Sequence, residues 1–200
     1  MRRRAVFLDR DGVICRNRDD YVKSWDEFVF IPGALPTLAH LAQTDLGIVI
    51  VTNQSAINRG IVPRMVVEDI HARMVRAIEA AGGRVDLVMY CPHRPDEECD
   101  CRKPKPGMLL AATRDLGVDL RHSYFVGDAS SDVRAGQAVG CQSYLVLTGR
   151  GRDELMNCCA NGRGFRVATD LEMAAKHILR KNPDPENQPS FALQGEGWKV

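Results

Sequence analysis

Two acidic residues, Asp9 and Asp11, follow an apolar run near the start of the chain and could together bind a divalent cation. In an extended backbone, side chains two residues apart lie on the same face, and Gly12 would let the chain turn away. Two carboxylates this close repel each other unless a cation lies between them. A hard ion such as Mg²⁺ suits this position, because it prefers a few oxygen ligands and retains several waters.

Further polar residues follow apolar runs later in the chain. The run GIVIVT ends in Thr52 and is followed by Asn53, while YFVGD ends in Asp128, with Asp132 one helical turn further on. Lys103 lies in a proline-rich segment between these two runs. Each residue alone would more often belong to a turn or a helix cap. Taken together, and in this order, they predict a site that combines carboxylates with hydrogen-bond donors.

A short cysteine-rich segment contains four possible metal ligands within eleven positions: Cys91, His93, Cys99 and Cys101. Three thiolates and one imidazole suit tetrahedral Zn²⁺, and an ion held by four protein ligands is typical of a structural site. The alternative is a polar loop with free thiols. Arg102 and Lys103 directly follow the last ligand, so we expect a bound ion to hold these two cations in place. The pattern therefore predicts a structural zinc loop that positions positive charge.

Apolar runs alternate with helical stretches along the chain, which is typical of a parallel sheet covered by helices on both faces. The pattern predicts strands at 5–9, 47–52, 85–91, 124–128 and 143–148. It predicts helices near 33–43, 65–83, 106–117, 131–139 and 170–180. In such sheets, ligands bind beyond the carboxyl ends of the strands. The polar residues identified above follow strands, so we expect them at that edge.

The composition fits one compact domain. The chain has 200 residues, of which 44% are hydrophobic, and its formal net charge is +1. This charge gives no reason to expect a nucleic acid or a membrane surface as partner. No apolar run approaches about 18 residues, and the first run is too short for a signal peptide, so we expect a cytoplasmic monomer. We expect residues 1–180 to form the domain and 181–200 a flexible tail.

The polar residues occur in the order found in the haloacid dehalogenase (HAD) superfamily of aspartate-nucleophile phosphatases, which residues 4–150 resemble. Asp9-Arg10-Asp11-Gly12-Val13 is similar to the first motif of that superfamily, Thr52-Asn53 to the second and Lys103 to the third. Gly127-Asp128 begins a segment similar to the fourth. The resemblance implies a three-layer α/β/α Rossmann-like fold with a central parallel sheet.

The resemblance also implies a role for each of these residues. Asp9 would attack phosphorus and form an aspartyl-phosphate, and Asp11 would act as general acid and then as general base. Mg²⁺ would bind to the Asp9 carboxylate, the main-chain carbonyl of Asp11, and Asp128. The donors to the phosphoryl oxygens would be Thr52 or Asn53, with Lys103.

Three segments narrow the resemblance to one family: CPH, CDCRKPKPGM and TNQSAINRG. They closely resemble the D-glycero-D-manno-heptose 1,7-bisphosphate 7-phosphatases and the related histidinol-phosphate phosphatases. The former imply a phosphorylated sugar as substrate and a step in making activated heptose for lipopolysaccharide or other surface glycans. The family also implies a capless fold in which loops select the substrate. The substrate contacts would be Asn17, Asp20, Tyr21, Asn53, Gln54, Ser55, Arg59, Arg102 and Lys103.

Two positions differ from the usual pattern of the heptose phosphatases. Cys15 stands where asparagine is usual, and Ala129 follows Asp128 where some members have lysine. Both leave the substrate and its anomer open. A histidinol-phosphate phosphatase is one alternative, and a polynucleotide 3′-phosphatase is another, although the near-neutral charge argues against the latter. A catalytically silent, zinc-stabilised binding protein is a third, although such a protein would need neither a nucleophile nor an acid.

Overall fold

A computed structural model describes residues 3–161 and 164–181, which contain a six-stranded parallel sheet. The strands are β1 (Ala5–Leu8), β2 (Gly47–Asn53), β3 (Leu87–Cys91), β4 (Tyr124–Gly127), β5 (Gln142–Val146) and β6 (Arg166–Ala168). Their order across the sheet is β3-β2-β1-β4-β5-β6. The predicted α/β fold with a central parallel sheet is therefore confirmed. The tail predicted at 181–200 lies, from residue 182 onward, outside the described residues.

Six α-helices of the described chain cover the two faces of the sheet. They are α1 (Ala34–Ala42), α2 (Arg64–Ala80), α3 (Gly107–Leu116), α4 (Ser130–Ala138), α5 (Gly151–Asn161) and α6 (Leu171–Lys181). Buried side chains of α1, α2 and α6 form a core on one face, and those of α3 and α4 form a core on the other, where α5 packs beside α4. The result is a three-layer α/β/α arrangement. None of the described helices is long and apolar enough to cross a bilayer.

Alternate residues of β1 enter different halves of the core. Val6 and Leu8 pack on the side of α1, α2 and α6, whereas Ala5 and Phe7 pack on the side of α3 and α4. All four side chains are fully buried. This two-sided burial explains why the strands read in the sequence as continuous apolar runs and not as alternating patterns.

Two elements were not predicted, and both have weak sequence signals. The strand β6 is only three residues long, and its first two residues are exposed, so it lacks an apolar run. The helix α5 has the sequence GRDELMNCCAN, in which Cys158 joins a small core cluster with Val133 and Leu145, and Leu155 packs against that cluster. A helix with so few apolar positions has little amphipathic pattern from which it could be recognised.

The strand order places the ends of β1 and β4 side by side at the centre of the sheet. From β1 the chain proceeds outward to β2 and β3, then crosses over to β4, β5 and β6 on the opposite side. Leu8, the last residue of β1, pairs in register with Val126, the next-to-last residue of β4. A sheet whose order reverses in this way opens a crevice at the carboxyl ends of the two central strands, where ligands bind.

Candidate active site

Three aspartates form a buried cluster beyond the carboxyl ends of β1 and β4. Asp9 follows β1 directly, Asp128 follows β4, and Asp132 lies in the first turn of α4. All three are buried, and each can place a carboxylate oxygen within 4.8 Å of the others. The backbone N–H of Asp9 donates to the carbonyl of Val126 over 3.0 Å, which ties the two strand ends together. The sheet thus brings Asp9 and Asp128 together from positions far apart in the sequence.

Lys103 supplies positive charge inside this cluster. Its ammonium lies 3.0 Å from Asp9 Oδ1 and 2.8 Å from Asp132 Oδ1, and it donates to the carbonyl of Val51 over 3.0 Å. The lysine side chain is only 1% exposed. Burial opposes its charge, but attraction to Asp132 and Asp9 outweighs burial, so the pKa of Lys103 lies above its ordinary value. It therefore carries its charge while buried.

The cluster holds more negative than positive charge, which a divalent cation would balance. Burial raises the pKa of Asp9 to about 8, with Lys103 opposing this rise and the other carboxylates adding to it. Burial likewise raises the pKa of Asp128 to about 6. Asp128 Oδ2 accepts from the backbone of Arg150 over 2.8 Å, while its buried Oδ1 has no hydrogen-bond partner among the described residues. This donor set fits Mg²⁺, which prefers carboxylate oxygens.

The carboxylate of Asp11 has different partners from those of the cluster. Its Oδ1 accepts from Arg10 Nη2 over 3.0 Å, and its Oδ2 accepts from Gln54 over 2.8 Å. Burial would raise the pKa of Asp11, but Arg10 and Gln54 together hold it below its ordinary value. The strand β1 ends at Leu8, so Asp9 and Asp11 lie just beyond it and not within an extended strand, but both residues line the same cavity.

The two polar residues at the end of β2 contact other site residues. The side chain of Asn53 donates to the carbonyl of Lys103 and accepts from its N–H, both over 3.1 Å. Thr52 Oγ1 accepts from Gln54 over 2.8 Å and donates to Asp11 Oδ2 over 3.4 Å. Asn53 therefore fixes the backbone of the lysine, and Thr52 joins the contacts of Asp11. Their predicted hydrogen bonds to phosphoryl oxygens stay predictions.

A cavity of about 390 Å³ opens beside Asp9. Most of the predicted substrate contacts line it: Asn17, Tyr21, Asn53, Gln54, Ser55, Arg59, Arg102 and Lys103. Asp20 is not among the residues that line the cavity, and its carboxylate pairs with Lys23 and, over 3.1 Å, with Arg18, so its contact with substrate stays a prediction. Lining residues that the predicted set of site residues omitted are Arg10, Arg18, Asp19, Val22, Ser131 and Arg150. Arg150 follows β5, so its position beyond a strand end could have identified it.

Asp132 is a further site residue absent from the predicted set of catalytic and metal-binding residues. Its position one turn into α4 places Oδ1 against Lys103, while Oδ2 accepts from the backbone N–H of Ala129 over 3.0 Å. The spacing from Asp128 indicated a role, but the choice between a metal ligand and a partner for lysine needs the geometry.

The four predicted ligands of the cysteine-rich segment converge at the end of β3. The sulfur atoms of Cys91, Cys99 and Cys101 lie 3.2 to 3.5 Å apart, and His93 Nδ1 lies 3.3 Å from the sulfur of Cys101. All three cysteines are free thiols. Tetrahedral ligands at Zn–S and Zn–N distances of about 2.3 and 2.0 Å would be separated by roughly 3.5 to 3.8 Å. The four side chains therefore have a spacing suited to a single metal ion.

The cysteine-rich loop also restrains the two cations that follow it. Arg102 Nη1 donates to the carbonyl of His93 over 3.1 Å, which directs the arginine along the loop. Lys103 is held in addition by Asn53 on β2, as described above. The loop therefore positions Arg102 directly, whereas the lysine is fixed from two sides.

Comparison with known proteins places this geometry in a family. A family model for HAD-like hydrolases matches residues 100–176. The heptose 1,7-bisphosphate 7-phosphatase of Pseudomonas aeruginosa, named for the β-D-manno anomer, is 48% identical over 180 residues, which are 90% of this chain and 100% of the relative. The crystal structure of D,D-heptose 1,7-bisphosphate phosphatase from Bordetella bronchiseptica with magnesium and phosphate superposes with a TM-score of 0.84.

The structural match to the Bordetella protein covers 89% of this chain and 99% of that chain at 41% identity. The corresponding phosphatase from Burkholderia thailandensis superposes with a TM-score of 0.67 at 36% identity, covering 88% of this chain and 99% of that one. Because these matches cover nearly the whole of both relatives at 36 to 41% identity, the similarity includes the sequence as well as the fold. The chain therefore belongs to the D-glycero-D-manno-heptose 1,7-bisphosphate phosphatase family of HAD phosphatases.

Proposed function

We propose that this phosphatase removes the 7-phosphate of D-glycero-β-D-manno-heptose 1,7-bisphosphate in a magnesium-dependent reaction. The observation that carries the proposal is the buried Asp9, which lies 3.0 Å from Lys103 in an arginine-lined cavity of a heptose phosphatase family member. Relatives that are 39 to 48% identical bear the name of the β-anomer phosphatase, which supports this anomer. The product would serve the synthesis of activated heptose for surface glycans.

In the first step, a carboxylate oxygen of Asp9 attacks phosphorus and forms an acyl phosphate. The bond between phosphorus and the C7 oxygen breaks, and this oxygen leaves with the electron pair. Asp11 gives a proton to the leaving oxygen, so that the sugar departs as a neutral alcohol. Because Arg10 and Gln54 hold the pKa of free Asp11 low, it would take up this proton when the negatively charged phosphate ester binds beside it. Lys103, already paired with Asp9 Oδ1, neutralises charge on the phosphoryl oxygens as it redistributes.

In the second step, a water attacks the phosphorus of the acyl phosphate, and Asp11, now a carboxylate, accepts its proton. The bond between phosphorus and the Asp9 oxygen breaks, which restores Asp9 as a carboxylate and releases inorganic phosphate. The hydrogen bonds from Arg10 and Gln54 stabilise the carboxylate form of Asp11, which suits this base role.

We propose that Mg²⁺ binds between the Asp9 and Asp128 carboxylates and the main-chain carbonyl of Asp11. When bound, the ion supplies charge that offsets the phosphoryl oxygens and favours the ionised form of Asp9. The raised pKa of Asp9, about 8, and the unpaired Asp128 Oδ1 support this placement. Asp132, which pairs with Lys103 over 2.8 Å, orients the lysine beside the ion.

The second phosphate of the substrate, on C1, would bind to two of the arginines that line the cavity. Arg59 and Arg102 are the predicted contacts, and both line the cavity. A guanidinium binds a phosphate through two parallel N–H donors, so each arginine can take two oxygens. Arg102 is held by the carbonyl of His93, which leaves part of its fork for the ligand.

We propose that the metal held by the cysteine-rich loop is a structural zinc ion. The four ligands leave no position for water, and their separations of 3.2 to 3.5 Å are close to those expected around tetrahedral zinc. Keeping three thiols reduced requires a reducing compartment, which supports a cytoplasmic enzyme. We expect the enzyme to act as a monomer.

The test is a substrate panel with Mg²⁺, in which released phosphate is measured for both anomers of heptose 1,7-bisphosphate, fructose 1,6-bisphosphate, histidinol phosphate and a 3′-phosphorylated oligonucleotide. We expect the β-heptose ester to exceed every other compound in kcat/KM by at least about tenfold, a difference of roughly 1.4 kcal/mol in barrier. Preference for histidinol phosphate or for the oligonucleotide would contradict the proposed substrate. Purified Asp9→Asn protein controls for contaminating phosphatase.

A further inference from the structure

His71 is a buried polar side chain on α2 that faces the first motif of the site. Its Nε2 lies 3.0 Å from Nη1 of Arg10, and both side chains are buried. A guanidinium can only donate hydrogen bonds, so His71 Nε2 must be the acceptor and carry no proton. Burial, reinforced by the charge of Arg10, lowers the pKa of His71 to about 3. The neutral ring is thus an acceptor throughout the physiological range.

Arg10 connects this histidine to the acid–base residue. Its Nη2 donates to Asp11 Oδ1 over 3.0 Å, while its backbone N–H donates to Asp9 Oδ1 over 2.7 Å. The guanidinium is planar and rigid, so fixing one terminal nitrogen fixes the direction of the other. The bond to His71 therefore sets the direction from which Arg10 approaches Asp11.

The ring of His71 is itself held in place by a contact with strand β3. The ring of Tyr90 on β3 packs against it with centroids 5.4 Å apart. The chain of contacts therefore runs from Tyr90 through His71 and Arg10 to one oxygen of Asp11, while Gln54 holds the other oxygen. Asp11 is therefore held at one oxygen by Arg10 from its own loop and at the other by Gln54 from the end of β2.

We propose that His71 is a positioning residue that acts through Arg10 to orient the Asp11 carboxyl group for proton transfer to the leaving oxygen. This inference rests on the proposed function, because it requires Asp11 to protonate a departing alcohol. Loss of the acceptor would free Arg10 to rotate and would turn the carboxyl group away from the leaving oxygen. The contrasting role is purely structural: His71 would then only satisfy a buried N–H of Arg10, and its loss would weaken all reactions alike.

The positioning role and the purely structural role can be distinguished by comparing substrates with different leaving groups. A sugar or other primary alkyl phosphate needs a proton on its leaving oxygen, whereas p-nitrophenyl phosphate releases a stable phenolate without one. The constant kcat/KM covers only the steps up to departure of the leaving group, so the later base role of Asp11 does not enter. The ratio of kcat/KM for an alkyl and an aryl phosphate therefore reports how well Asp11 acts as an acid.

The experiment compares His71→Phe, which keeps a ring but has no acceptor, with His71→Gln, which keeps an acceptor. We expect His71→Phe to lose about tenfold or more in kcat/KM for the alkyl phosphate but to stay within about twofold for p-nitrophenyl phosphate. His71→Gln should recover most of the alkyl activity. A matched control is Met74→Ala, an equally buried position on the same helix, which should lower thermal stability without changing the ratio.

Equal losses on both substrates in His71→Phe, or an unchanged ratio, would overturn the proposal. Should His71→Phe fail to fold, His71→Met also removes the ring acceptor while it fills the buried space with an apolar side chain, and the same selective loss is expected from it. The alkyl substrate is whichever primary alkyl phosphate the wild type hydrolyses fastest. Failure of the wild type on heptose bisphosphate would then contradict only the proposed substrate, and the ratio would still decide the role of His71.

Discussion

Gly12 lies where any side chain would collide with a predicted magnesium ligand. Its φ is +81°, and a Cβ added there would lie 2.0 Å from Asp128 Oδ2. Contacts of a Cβ under 3.0 Å essentially never occur, so Asp128 in Gly12→Ala must retreat by about 1 Å. The retreat would break the 2.8 Å hydrogen bond from the backbone of Arg150 and move the carboxylate out of the cluster.

The expected loss follows from this displacement. A misplacement of about 1 Å at a catalytic centre can reduce the rate on the order of 100-fold. We expect Gly12→Ala to lose about this factor in kcat and to need at least about tenfold more Mg²⁺ for half-maximal activity. The assay is phosphate release as a function of Mg²⁺ concentration, with circular dichroism to establish that the variant is folded.

Gly117 provides the matched control, because it shares the backbone strain without the collision. It ends α3 with a φ of +65°, and an added Cβ would meet nothing within 4 Å. Alanine in this conformation costs about 1–2 kcal/mol, so Gly117→Ala should lower Tm by several degrees and leave the magnesium dependence unchanged. A Gly12→Ala variant with the wild-type magnesium curve and rate would refute the assignment of Asp128 as a ligand.

Three further outcomes are expected. Asp9→Asn should fold and be inactive. Because the pKa of Asp9 is raised to about 8, the native wild type without metal binds more protons than the unfolded chain between about pH 4 and 8, and its free energy of unfolding falls as pH rises through this window. The variant should lose less stability over the same window, which urea unfolding at several pH values would measure. Cys99→Ser should reduce bound zinc, measured by mass spectrometry of the metal, and lower both Tm and kcat, whereas exposed Cys159→Ser should change neither. Arg102→Ala should raise KM for the bisphosphate at least about tenfold more than KM for a monophosphate, and equal effects on both would contradict a contact with the second phosphate.

Much of the site could be predicted because parallel strands expose their carboxyl ends at one edge. Asp9 and Asp128 each follow an apolar run, and that position alone brings them together once the strands are adjacent. The candidate metal ligands of the cysteine-rich loop could also be predicted, since they lie close together in the sequence and their grouping does not depend on the tertiary fold. Local spacing and strand ends are thus the features that a sequence reports well.

Other features depend on side-chain directions that spacing does not determine. The Asp11 carboxylate contacts Arg10 and Gln54 in the loop beyond the end of β1, and side-chain directions in a loop are not set by the alternation of a strand. The inward direction of Asp132 depends on the first turn of α4. The contact of His71 depends on how α2 crosses the sheet. Each requires the packing of separate segments, which a local pattern does not encode.

The burial of Lys103 has a consequence for the energetics of turnover. Its ammonium is stripped of solvent and oriented by two carboxylates and a carbonyl before any ligand arrives. An exposed lysine would have to shed hydration and lose rotational freedom each time a substrate entered, and that penalty would reappear in every catalytic cycle. Here the Lys103 ammonium is dehydrated once, when the protein folds. The phosphoryl group therefore meets a charge that is already oriented and needs little reorganisation in each turnover.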